Sequence, residues 1–156
     1  SMSDADRALL TARCTLLYHR YAWAVDEHDL DALRALVTPD VRMTRADGTR
    51  TGVEAFLEVY RAFAAEAIPR STHVISNVVA HRGPSDKIQT HAYFEATMFE
   101  TERTRIIAGR YDDVHVDQDG TLLLAHKVIR VDRVLYLPAA ETAYTNVGAA
   151  QDGGDR

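Results

Sequence analysis

Ile88-Gln89-Thr90-His91-Ala92-Tyr93-Phe94-Glu95-Ala96-Thr97-Met98-Phe99 is the stretch that decides the fold. Its even-numbered residues are small or apolar, and its odd-numbered residues are mixed and largely polar. That period of two describes a strand with one face on a core and the other on water or a partner. The same period runs through 72–82, 104–116 and 122–137, so 87–99 is one of four long strands. Gly83-Pro84-Ser85-Asp86, Thr101-Glu102-Arg103 and Asp117-Gln118-Asp119-Gly120 separate them as hairpin connections.

Before Pro69 the period is helical. Ser3-Asp4-Ala5-Asp6 reads as a capping box opening a helix that ends near Asp26. Leu10, Cys14, Leu17, Tyr21 and Ala24 form one apolar stripe, and Leu9, Leu16 and Trp23 a second; together they read as one broad apolar face of helical period. Asp29 caps a short helix over 30–36, which Thr38-Pro39-Asp40 breaks. A short strand over 41–45 closes on the Asp47-Gly48 turn, and a third helix spans 53–67 until Ile68-Pro69 stops it. Helices followed by an antiparallel meander define an α+β fold: a curved antiparallel sheet with three N-terminal helices enclosing a pocket. The domain is expected over 3–137, with 138–156 a partly disordered tail rich in Ala, Gly and Thr.

Composition narrows the function. The 156 residues carry 18 Lys and Arg against 23 Asp and Glu, a net charge of −5, which disfavours nucleic acid as a partner. A single cysteine, Cys14, rules out an intrachain disulfide and a cysteine-built zinc site. No apolar run approaches the roughly 18 residues of a membrane span, and the reading expects a cytoplasmic protein. With no local cluster of metal-ligating residues and no glycine-rich phosphate loop, no metal and no cofactor are expected.

Three stretches together resemble the SnoaL-like branch of the nuclear transport factor two-like fold: residues 21–33, containing Tyr21 and Asp26-Glu27-His28-Asp29; Ser71-Thr72-His73-Val74-Ile75-Ser76-Asn77; and Gly109-Arg110-Tyr111-Asp112-Asp113 with Asp119-Gly120 and Ala125-His126-Lys127-Val128-Ile129. That family includes scytalone and bile-acid dehydratases, polyketide cyclases and the small subunits of ring-hydroxylating dioxygenases. The resemblance implies a cone-shaped α+β barrel. It also implies that Asp26 and His73 work as a pair, that Tyr21 assists them, and that Tyr111 faces substrate. Where scytalone dehydratase has a second catalytic histidine, this chain has Met98.

The residues themselves leave more open. Asp26 sits at the negative end of a helix dipole, which would raise its pKa and suit proton exchange, or else it is a solvated loop carboxylate. His73 shares a strand face with Ile75 and Val79, and is a core residue unless a carboxylate reaches it. Asn77, on that same face, either binds substrate or packs. Trp23, Phe56, Tyr60, Phe94 and Met98 are core residues that could also line a pocket for a flat apolar ligand. His91 belongs to the outer face. His19, His28, His81 and His115 read as surface, loop or strand-end residues.

The resulting expectation is a cofactor-independent dehydratase, isomerase or cyclase, with dehydratase favoured. Its substrate would be a small hydrophobic carbonyl compound, polyketide- or steroid-like. The alternative is a non-catalytic ligand-binding or scaffold subunit. A homodimer or other homo-oligomer is expected through the sheet face bearing His91, Tyr93 and Glu95.

Overall fold

Ser3 opens the first helix by accepting a hydrogen bond from the Asp6 amide, as its capping-box position requires. The computed structural model describes residues 2–140. The tail expected over 138–156 lies, from 141 onward, outside the described residues. In chain order the elements are α1 (Asp4–Asp26), α2 (Leu30–Ala35), β1 (Val37–Arg45), β2 (Gly48–Thr51), α3 (Val53–Ala65), β3 (Arg70–Arg82), β4 (Ile88–Phe99), β5 (Arg103–Gln118) and β6 (Thr121–Pro138). The six strands form one curved, unclosed sheet in the order β2-β1-β6-β5-β4-β3. The helices fill its concave side, giving the cone-like α+β fold. No helix among the described residues is long and apolar enough to cross a membrane.

β4 keeps the alternation read from its sequence: Ile88, Thr90, Ala92, Phe94, Ala96 and Met98 are all buried. Asp119 and Gly120, with φ of 53° and 88°, make the two-residue turn that joins β5 to β6.

Four details depart from the sequence reading. First, the sheet is not wholly antiparallel, because β1 runs parallel to β6 with Met43 beside Lys127. Second, the Thr38-Pro39-Asp40 breaker lies inside β1. Pro39 is tolerated there because pairing with β6 lapses between Val37 and Arg42. Third, the turn after β1 leads into an additional short strand, β2, paired through Met43 and Arg50. Fourth, only the first apolar stripe of α1 is buried. Leu9, Leu16 and Trp23 are 64%, 56% and 62% exposed, because they lie on the helix side turned away from the sheet.

Candidate active site

A cavity of about 370 Å3 opens between α1, α3 and the inner face of the sheet. Its apolar walls include Val25 from α1, Val59 and Phe63 from α3, Phe94, Ala96 and Met98 from β4, and Ile107 from β5. Tyr21, Tyr60, Tyr111 and His73 are the polar groups of its interior, and Arg45, Arg50, Glu58, Glu66 and Arg105 stand among its lining charges.

Asp26 is the last residue of α1, and β3 starts across from it. Its carboxylate stitches the two elements together. Oδ1 lies 2.6 Å from His73 Nδ1 and accepts from the Ser71 hydroxyl at 2.8 Å, while Oδ2 accepts from the His73 amide at 2.8 Å. The two residues are 47 positions apart in sequence. Burial pushes the Asp26 carboxyl up, but the hydrogen bonds from the His73 ring, its amide and Ser71 outweigh it and hold the pKa below its ordinary value. This reverses the helix-dipole expectation of a raised pKa. An ionised carboxylate only accepts, so Nδ1 carries the proton that faces it and Nε2 is the nitrogen left for chemistry.

On the other side of the cavity, the Tyr21 and Tyr60 hydroxyls are 2.6 Å apart. Burial holds both phenols well above their usual pKa, so both keep their protons. One proton serves the bond between them, and the other is left to donate. Phe94 stacks on Tyr111 with ring centroids 4.5 Å apart. That stack crosses Gly109, where a side chain would collide with the Arg130 carbonyl and the Phe94 ring.

Of the ligand-contacting residues expected from sequence, Tyr60, Phe94, Met98 and Tyr111 line the cavity, and three do not. Trp23 lies about 200° around α1 from Tyr21 at 3.6 residues per turn, and so faces outward. Phe56 is fully buried in the core behind Tyr60. Asn77 is exposed at a β-bulge with φ of 54°, where the β3–β4 register jumps between Ser76 and Val79. The extra residue reverses the alternation, so Val79 turns outward and Ala80 inward.

Behind the aromatic floor lies a buried polar network that the sequence reading missed. Lys127 and Asp113, both fully buried, pair at 2.8 Å. Asp113 also accepts from the Tyr18 hydroxyl at 2.7 Å, and Tyr18 meets Thr90 at 2.7 Å. The Lys127 ammonium sits 3.1 Å from the centroid of Tyr111. His115, expected at a strand end, is fully buried with Nε2 2.8 Å from Thr90 Oγ1. Burial lowers its pKa to about 4, so the ring is neutral. Cys14 is a buried thiol that burial pushes up to about 12, which leaves it inert. No group of three or more His, Cys, Asp or Glu side chains placed to hold a metal ion occurs among the described residues.

The chain belongs to the SnoaL-like domain family, whose profile matches residues 6–128. Several solved structures share the fold. Hexachlorocyclohexane dehydrochlorinase LinA-type3 from Novosphingobium barchaimii is 20% identical, with a TM-score of 0.77 over 91% of this chain and 99% of that one. A candidate scytalone dehydratase from Novosphingobium aromaticivorans is 18% identical, with a TM-score of 0.74 over 90% of this chain and 99% of that one. A protein of unknown function from Mycobacterium tuberculosis is 21% identical, with a TM-score of 0.73 over 99% of this chain and 90% of that one. At such identities the likeness shows the fold alone. No protein of curated function matches the sequence.

Proposed function

We propose that this protein is a cofactor-independent acid–base enzyme acting on a small hydrophobic carbonyl compound of polyketide- or steroid-like size, with elimination of water as its leading reaction. The observation that carries this reading is the 2.6 Å contact between Asp26 and a His73 ring that lines an apolar cavity. His73 Nε2 takes the proton from the carbon beside the carbonyl, and the C–H electron pair moves into an enolate. Asp26 stabilises the imidazolium that forms. Tyr21, held by Tyr60, donates to the enolate oxygen. The enolate then collapses to a carbon–carbon double bond, the C–O bond to the β-hydroxyl breaks, and the departing hydroxide takes the proton back from His73 as water. Isomerisation and ring closure share the first step.

The named relatives support elimination. A dehydratase and a dehydrochlorinase both remove a proton and a leaving group from neighbouring carbons. A base placed in this way contributes about 10²–10⁴-fold in rate.

The first step can be tested without the natural substrate. The protein is incubated in D2O with 2-tetralone, and deuterium uptake beside the carbonyl is followed by NMR. Uptake well above the buffer rate, abolished in His73→Gln, is expected. Uptake that is absent, or the same in His73→Gln, would overturn the mechanism and leave the ligand-binding or scaffold role.

A further inference from the structure

Most charges around the cavity are matched. Arg50 forks onto Asp47 at 3.1 and 2.8 Å, and Glu58 accepts from Arg61 at 3.2 Å. Arg105 lies 3.4 Å from both Glu66 and Glu100. One feature is left over. Arg45 lines the cavity from an exposed position, and its side chain makes no hydrogen bond or ion pair to any described residue. It follows the buried Val41 and Met43 on the inward face of β1.

A cation kept unpaired beside an apolar cavity has a use if the ligand supplies its counter-charge, and a guanidinium presents donors in the geometry of a carboxylate. We propose that the ligand of this cavity carries a carboxylate, anchored by Arg45, while its apolar body lies against Phe63, Ile107 and Met98. This deepens the acid–base reading, on which it rests: the substrate class narrows to a hydrophobic keto acid, with neutral ketones turned over as more weakly held analogues. One free guanidinium, with two parallel N–H donors, matches a single carboxylate. A phosphate, with its larger charge, would find too few donors.

The test uses a matched pair of probes, 2-naphthoate and 2-naphthamide, with binding measured by calorimetry at low salt. The naphthoate is expected to bind the wild-type protein about tenfold more tightly than the amide, as a charge-assisted hydrogen bond allows. Arg45→Gln, a change at an exposed position, should bring the ratio close to one, mainly by weakening the naphthoate. Arg45→Lys should restore part of it. His73→Gln, measured alongside, should keep the full preference. If the wild-type protein binds both probes equally, prefers the amide or binds neither, or if Arg45→Gln keeps the preference, the proposal is overturned. A naphthoate preference that Arg45→Gln abolishes, in a protein with no deuterium-exchange activity, sinks the acid–base reading and leaves the anion site standing.

Discussion

Acid should destabilise this protein well before its carboxylates titrate, and His115 is the reason. The imidazole is fully buried, bonded at Nε2 to Thr90, and its Nδ1 has no partner among the described residues. Burial lowers its pKa from 6.5 to about 4, the nearby Asp113 opposes that fall, and Lys127 adds to it. The sign follows from proton counting. Between those two values the unfolded chain binds a proton that the native protein refuses, so native stability falls as the pH falls. A gap of that size corresponds to about 3 kcal/mol in all, of which about 2 kcal/mol is lost between pH 7 and 5. Within the window the slope approaches about 1.4 kcal/mol per pH unit. His126, part-buried and also lowered, adds a smaller slope of the same sign. Urea denaturation followed by circular dichroism at several pH values measures the wild-type slope. His115→Gln keeps a donor for Thr90 and cannot titrate, so it should lose most of that slope even if it is less stable at pH 7. An unchanged slope in His115→Gln would refute the reasoning.

Asp26→Asn keeps the shape but turns an amide towards groups that already donate. It should cost about 1–3 kcal/mol of stability above the carboxylate range, a deficit that shrinks as acid protonates the wild-type Asp26. The same variant should slow deuterium exchange at least ~100-fold and remove the low-field NMR signal of His73 Nδ1–H. Gly109→Ala would drive a methyl group into the Arg130 carbonyl and to 2.7 Å from Phe94 Cε1. It should cost about 3 kcal/mol in urea titrations, since neither backbone nor stacked ring can move away. The outer sheet face carries Tyr93, 56% exposed, beside His91 and Glu95. Sedimentation at micromolar concentration should find a homodimer that Tyr93→Asp weakens; a wild-type monomer would count against the self-contact.

The long strands were legible because burial on one face writes a period of two into the chain, and the hairpin residues between them mark the turns. What escaped depends on geometry that a linear pattern does not carry. The bulge at Asn77 adds one residue and inverts the face of everything beyond it. The parallel pairing of β1 with β6 joins distant segments, and no local signal announces it. The two stripes of α1 were separable in principle, since Tyr21 and Trp23 fall on opposite sides of any helix. In the site, Asp26 and His73 were joined by resemblance, because their spacing in sequence says nothing of contact. Arg45 was readable from the alternation Val41, Met43, Arg45. The Lys127–Asp113 pair was not readable, since nothing local distinguishes a buried ion pair from two surface charges.

The pairing of β1 with β6 also sets an order of events. Thr44 reaches His126 across 82 positions of chain, whereas β3, β4 and β5 close on one another through short connections. Closing the longer loop costs more chain entropy and must wait for β6, the last of the six strands in chain order. The edge of the sheet bearing His73, on which α1 packs with Asp26, can form while the β1–β2 hairpin still has no strand to join. Arg45, at the end of β1, is therefore fixed among the last residues of the fold. Until β6 is in place, the side of the cavity that carries Arg45 remains unbuilt.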